Sequence, residues 1–143
     1  MASVEKSALV HHSSMQMYKL VANVDDYDKF LPWCSASRLL SASEEEICGE
    51  IEVSRIGITQ KFSTCNKIKP GEFMTLSLKE GPFKSLEGVW QFTPLSDEAC
   101  KVSLKLDFEF SGKLINAAFG KVFSAIANEL VDAFCQRADE VYG

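Results

Sequence analysis

The chain has 143 residues, 46% of them apolar and 24% charged, which is the size and balance of one soluble domain with its own core. A formal net charge of −5 excludes a global attraction to phosphate backbones or anionic lipid, and argues against non-specific nucleic-acid binding, DNA included. No run approaches the roughly 18 consecutive apolar residues of a membrane span.

Val4 to Val10 reads as a short first strand. Ser13 and Ser14 then offer an N-cap, and Met15, Met17, Tyr18, Val21 and Val24 give a short amphipathic helix. Asp25 and Asp26 can cap a second short helix, Tyr27 to Leu31, which Pro32 stops. From Ala36 to Phe110 the pattern is mostly strand. Breaks fall near Glu44-Glu45-Glu46, Ile56-Gly57, Lys69-Pro70-Gly71, Gly81-Pro82 and from Pro94 to Glu98, a spacing that suits an antiparallel meander.

Within that region a period of two recurs. Met74, Leu76 and Leu78 share one face, and so do Leu86, Gly88, Trp90 and Phe92. The clearest case is Lys101 to Phe110, where Val102, Leu104, Leu106, Phe108 and Phe110 alternate with Ser103, Lys105, Asp107 and Glu109. From Lys113 to about Val141 the period becomes helical. Leu114, Ala118, Val122, Ile126, Val131 and Phe134 fall close to one face, widened by Ile115, Phe119, Phe123 and Leu130. A helix of roughly 29 residues is about 43 Å long, enough to cover a whole curved sheet.

Strand, two short helices, about six or seven antiparallel strands and one long helix make an α+β domain spanning residues 1–143. A curved sheet gripping one long helix tends to enclose a space, which raises the question of a ligand.

Few residues point to chemistry. The five cysteines, Cys34, Cys48, Cys65, Cys100 and Cys135, include no C-x-x-C pair, and His11 and His12 lie far from any cysteine pair, which argues against zinc. Scattered single cysteines predict free thiols in a reducing compartment. Cys34 has no base placed beside it by the sequence, so it reads as an ordinary thiol. His11-His12 reads as a solvated turn, with no carboxylate at a spacing that would make either a general base. Glu44-Glu45-Glu46 reads as a solvated turn as well. Gly120, inside the long helix, allows close approach to the sheet or leaves room for a ligand. Arg137 near the helix end complements the helix dipole. No P-loop, GxGxxG, HExxH or GxSxG motif occurs, so no catalytic residues and no metal ligands are assigned.

The positive signal is apolar. Phe30-Leu31-Pro32-Trp33-Cys34 is either a plug that seats the short helices or the mouth of a pocket. Glu80-Gly81-Pro82-Phe83-Lys84 is a turn that places Phe83 near the sheet face, and Trp90 is core, cavity wall or both. The residues expected around a cavity are Phe30, Leu31, Trp33, Phe83, Leu86, Trp90, Phe119, Val122, Phe123 and Ile126.

Several of these segments, with Gly88-Val89-Trp90-Gln91-Phe92, Asp107-Phe108-Glu109-Phe110, Arg137-Ala138 and Val141-Tyr142-Gly143, resemble the coenzyme Q-binding START-like family. That family lies within the polyketide cyclase/dehydrase and lipid-transport superfamily, whose members share the helix-grip fold. The resemblance covers nearly the entire chain. It implies a non-catalytic protein that requires no cofactor. Its mitochondrial branch implies binding of ubiquinone or a similar isoprenoid lipid and a link to respiration. Its bacterial branch, the ribosome association toxins, is the more similar. That branch implies binding of the large ribosomal subunit, a block on subunit association and translation initiation, and a small ubiquitin-like antitoxin. The start, Met1 to Lys6, has no apolar signal region and no Arg-rich presequence. A bacterial cytoplasmic location is therefore expected, with peripheral membrane association left open. Should the ribosome be the partner, Lys61, Lys67 and Lys69 are the first candidates for a basic contact surface.

Overall fold

The computed structural model describes residues 2–55 and 57–143, with the side chains of 113–117 outside that description. The elements in chain order are β1 (Ala2–Val10), α1 (Ser14–Ala22), α2 (Tyr27–Phe30), β2 (Cys34–Ala42), β3 (Glu46–Arg55), β4 (Ile58–Lys69), β5 (Phe73–Glu80), β6 (Phe83–Ser96), β7 (Ala99–Phe110) and α3 (Lys113–Tyr142). A 3-10 turn, Val24–Asp26, precedes α2. The strands form one seven-stranded sheet in the order β1-β7-β6-β5-β4-β3-β2. Every neighbouring pair is antiparallel. β2 to β7 are therefore a plain meander, and β1 adds beyond β7. The short helices carry the chain from one sheet edge, β1, to the other, β2.

Local chemistry explains the boundaries. Ser13 accepts from the Gln16 backbone N–H while the Gln16 side chain accepts from the Ser13 N–H, a capping box that starts α1. Asp26 makes no side-chain cap to α2. Instead its two carboxylate oxygens take hydrogen bonds from Asn23 and Lys29, and the 3-10 turn leads into α2. Gly71 closes the β4–β5 turn at φ 77°, a left-handed conformation that suits glycine. β6 runs through Pro94 to Ser96, so the last turn falls later than its proline suggested. Proline is tolerated where the ladder is irregular, and the β6–β7 register shifts between Pro94 and Ser96.

The alternation in β7 maps directly onto burial: Cys100, Val102, Leu104, Leu106 and Phe108 are buried, whereas Lys101 and Lys105 are exposed. The inner face of α3 carries Phe119, Val122, Phe123, Ile126, Ala127, Val131, Phe134 and Ala138, all buried. Ala118, assigned to that face by periodicity, is exposed. The stripe is centred on the aromatics, which turns Ala118 out to the flank. The assignments of Leu114 and Ile115 to this face, and of Ile56 to a turn, lie outside the described residues.

Two expectations are corrected by long-range pairing. The β3–β4 register sets Cys48 opposite Cys65, their Cα atoms 4.1 Å apart, and the two are joined as a disulfide. Cys34, Cys100 and Cys135 are free thiols. His12 is not a solvated turn residue. It is 6% exposed, and its Nε2 lies 2.7 Å from Asp139 Oδ1 on α3. Beside it the Tyr142 hydroxyl donates to the Gln16 carbonyl at 3.1 Å. These contacts tie the end of α3 to the β1–α1 corner.

An apolar cavity as candidate functional site

α3 runs closest to β1, β7 and α1. Across the middle of the sheet the space beneath it is filled by large side chains and by a cavity of about 90 Å³. Its floor is the inner face of the sheet: Gly49, Ile51 and Val53 from β3, Phe62, Thr64 and Asn66 from β4, Met74 and Leu76 from β5, Leu86 and Trp90 from β6, and Leu106 from β7. Its roof is Phe123, Ile126, Ala127, Leu130 and Phe134 of α3, and its side wall is Val24, Tyr27 and Trp33.

Glycine is used where backbone must come close. A Cβ on Gly88 would meet the Lys105 carbonyl oxygen at 2.5 Å, so the tight β6–β7 pairing requires glycine there. A Cβ on Gly49 would lie 3.0 Å from Val24 Cγ1, so this glycine lets the 3-10 turn seat against the sheet. Gly120 faces Phe110, whose ring would be 3.4 Å from an added Cβ.

Two aromatic groups frame the cavity. Phe134 meets Tyr27, Phe30 and Trp90 edge-to-face at ring separations of 5.3, 5.4 and 5.4 Å. At the other end Phe62 and Phe123 are both cavity wall and part of a cluster with Phe83, Phe108, Phe110 and Phe119.

Of the residues expected around a cavity, Trp33, Leu86, Trp90, Phe123 and Ile126 line it. Phe83 and Phe119 stand behind the wall in the aromatic cluster, while Leu31 and Val122 are buried elsewhere in the core. Phe30 faces an outer cleft of about 500 Å³ with Pro32, Trp33, Ala133 and Arg137, among others. There the Arg137 guanidinium sits 5.0 Å over its ring and pairs with Glu140 at 3.6 Å. Trp33 belongs to the walls of both spaces.

The expected set missed the β3, β4 and β5 contributions, Leu106 of β7, Ala127, Leu130 and Phe134 of α3, and the pair Val24 and Tyr27. Ile47, Gly49, Ile51 and Val53 do alternate, a signal that was available. Thr64 and Asn66 break the apolar pattern and offered none.

The polar groups of the cavity are few. The Tyr27 hydroxyl donates to the Val21 carbonyl, and burial, followed by the neighbouring Cys34, pushes its pKa well above the usual phenol range. Asn66 is 3% exposed. Among the described residues its Nδ2 has only the Met74 sulfur, at 3.9 Å, and its Oδ1 is buried without a partner. Leaving a buried acceptor unpaired costs about 1–3 kcal/mol.

Nothing in the thiol chemistry suggests a nucleophile. Burial, followed by Asp28, pushes the Cys34 thiol up to about 11, and its Sγ donates to the Ala36 carbonyl at 3.3 Å. An activated thiol needs the opposite shift. On the sheet face away from the cavity, Glu46 sits beside Cys48 and Cys65, but the bonded sulfurs offer no thiolate. The candidate basic residues are partly neutralised: Lys61 lies 3.9 Å from Glu52 and Lys69 3.1 Å from Glu72.

Comparison with known proteins fits this architecture. Residues 10–135 match the family described as polyketide cyclase / dehydrase and lipid transport. The chain is 48% identical over 143 residues to the ribosome association toxin RatA of Vibrio cholerae, covering 100% of this chain and 99% of that protein. It is 30% identical to the mitochondrial coenzyme Q-binding protein COQ10 homolog B of Xenopus laevis, covering 96% of this chain and 58% of that protein. Among solved structures, the Zhui aromatase/cyclase from Streptomyces sp. R1128 superposes with a TM-score of 0.85 at 14% identity, covering 99% of this chain and 96% of that one. The chain thus belongs to the polyketide cyclase/dehydrase and lipid-transport family, with its START-like seven-stranded sheet and long C-terminal helix.

Proposed function

We propose that this protein acts in ribosome association and that its cavity holds an apolar ligand controlling that role. The observation that carries the ligand half is the apolar space between α3 and the sheet, walled by both tryptophans of the chain. The ribosome half is supported by 48% identity, over the whole chain, to a protein named for ribosome association. The contact proposed is the large subunit, whose joining to the small one would be blocked, with a small ubiquitin-like protein as antitoxin. The role is non-catalytic, in keeping with a Cys34 thiol held protonated.

The ligand class proposed is a ring-bearing isoprenoid lipid, ubiquinone or similar. The name of the Xenopus relative supports this choice, and a link to respiration is the second reading. Pockets for drug-sized ligands run to about 300–1,000 Å³. A cavity of about 90 Å³ holds only part of such a lipid. The rest requires Trp33 to swing and join the inner cavity to the outer cleft, since that side chain walls both.

Titration with a short-tailed benzoquinone should quench tryptophan fluorescence saturably at one equivalent. Quenching that stays linear would remove the ligand half. Co-sedimentation with purified large subunits at low salt, with and without the quinone, tests the other half. Absence from the pellet in both conditions would remove it.

A further inference from the structure

Resting on the reading of the cavity as an apolar-ligand site, we infer that Asn66 is its specificity-determining contact, selecting rings that carry a carbonyl or hydroxyl oxygen over plain hydrocarbons. The position is unfavourable for folding alone. Asparagine is depleted in strands, and this one sits in the interior of β4, between Cys65 and Lys67 in the ladder with β3. Its side chain makes no turn or cap. Among the described residues its Oδ1 is buried with no partner, and its Nδ2 meets only a thioether sulfur, a weak acceptor, at 3.9 Å. The residue is 3% exposed, so bulk water does not satisfy it. Asn66 is one of two hydrogen-bonding side chains, with Thr64, that the β4 strand contributes to the cavity lining, beside apolar residues such as Met74, Leu76 and Trp90.

Such a group is complementary to one kind of guest. A ring hydroxyl would donate to Oδ1, and a ring carbonyl would accept from Nδ2. The same amide therefore serves the oxidised and the reduced form of a quinone. A hydrocarbon of equal size leaves both atoms unpaired, and a site built to pair a buried polar group rejects the analogue that lacks the matching one.

The test compares pentyl-benzoquinone, pentyl-hydroquinone under argon and pentylbenzene by titration calorimetry, on wild type and Asn66→Leu, with a thermal melt of each protein. Wild type should bind both oxygenated rings about tenfold tighter than pentylbenzene, the scale of one hydrogen bond in a dry site. Asn66→Leu should lose that preference, bind pentylbenzene at least as well as wild type does, and melt no lower. If Asn66→Leu does not fold, Asn66→Ala carries the same comparison. A variant that keeps the preference overturns the assignment of Asn66 while leaving the cavity reading intact. A variant that melts lower and weakens on all three probes equally overturns it too, by marking Asn66 as structural. Failure of wild type to bind any probe overturns the cavity reading and the inference together.

Discussion

Cys34 shows how a residue can look reactive in sequence and be silenced by its surroundings. It follows an aromatic-rich loop, yet its thiol is buried and pushed up from 9.0 to about 11. Below about pH 9 the thiol is protonated in both the folded and unfolded chain. Between 9.0 and about 11 the unfolded chain releases a proton that the folded chain keeps. The folded state then binds more protons, so stability falls as pH rises through that window. Tyr27, also raised by burial, adds to the alkaline loss. Urea midpoints at pH 8 and 10.5 should drop less in Cys34→Ala than in wild type, and an equal drop would contradict the shift. By the same logic iodoacetamide should label Cys34 slowly at neutral pH. The residue scale is also where the sequence was least legible. The His12–Asp139 contact joins residues 127 positions apart, and the Cys48–Cys65 bond depends on the register between two strands. Asn66 looks like any polar strand residue until the cavity beside it is seen. None of the three has a local periodic signature.

At the scale of elements, periodicity was informative because each element buries one face. β7 and most of α3 were readable: a period of two in one, near 3.6 in the other from Phe119 onward, with Lys113 as the start of the helix. The meander followed from breaks rich in glycine, proline and charge. Less legible was the link between β1 and β2, where a 3-10 turn brings Val24 and Tyr27 under α3. In α1 the face was readable, with Met17, Tyr18 and Val21 buried and only Met15 turned out, but the three-residue turn and the four-residue α2 have too few turns to show one. The grip of α3 rests on its buried stripe. Ile126 is 2% exposed and lies on the cavity roof, and burying such a side chain contributes about 1.5–3 kcal/mol. Ile126→Asp loses that and leaves an unpaired charge in an apolar space, so thermal unfolding should fall sharply or folding should fail. Phe134→Ala removes a ring that touches Tyr27, Phe30 and Trp90 and should cost about 3–5 kcal/mol in urea unfolding. Parent-like melting of either variant would contradict the packing of α3 described above.

For the whole molecule, charge and shape make separate demands on a partner. A protein held on RNA by phosphate contacts loses affinity steeply with salt, with a slope of about −0.9 per duplex phosphate neutralised. This chain carries −5, and Lys61 and Lys69 already face carboxylates. The proposed binding to large ribosomal subunits should therefore depend weakly on salt, with shape and apolar contacts supplying much of the affinity. A slope of several units in a co-sedimentation series would reveal a basic face instead. The helix-grip architecture was legible because seven strands and one long helix leave few ways to bury their apolar faces. The cavity's exact walls were not, since β3 and β4 meet α3 only in three dimensions. That cavity is the centre of the functional reading. Methyl-resolved NMR during titration with pentyl-benzoquinone probes it most directly. Saturable shifts are expected at Ile51, Met74, Leu76, Leu86, Leu106, Ile126 and Leu130, which line the space, with little change at the exposed Leu9, Leu39 and Leu95. Shifts confined to those exposed leucines, or none that saturate, would contradict an apolar-ligand site beneath α3.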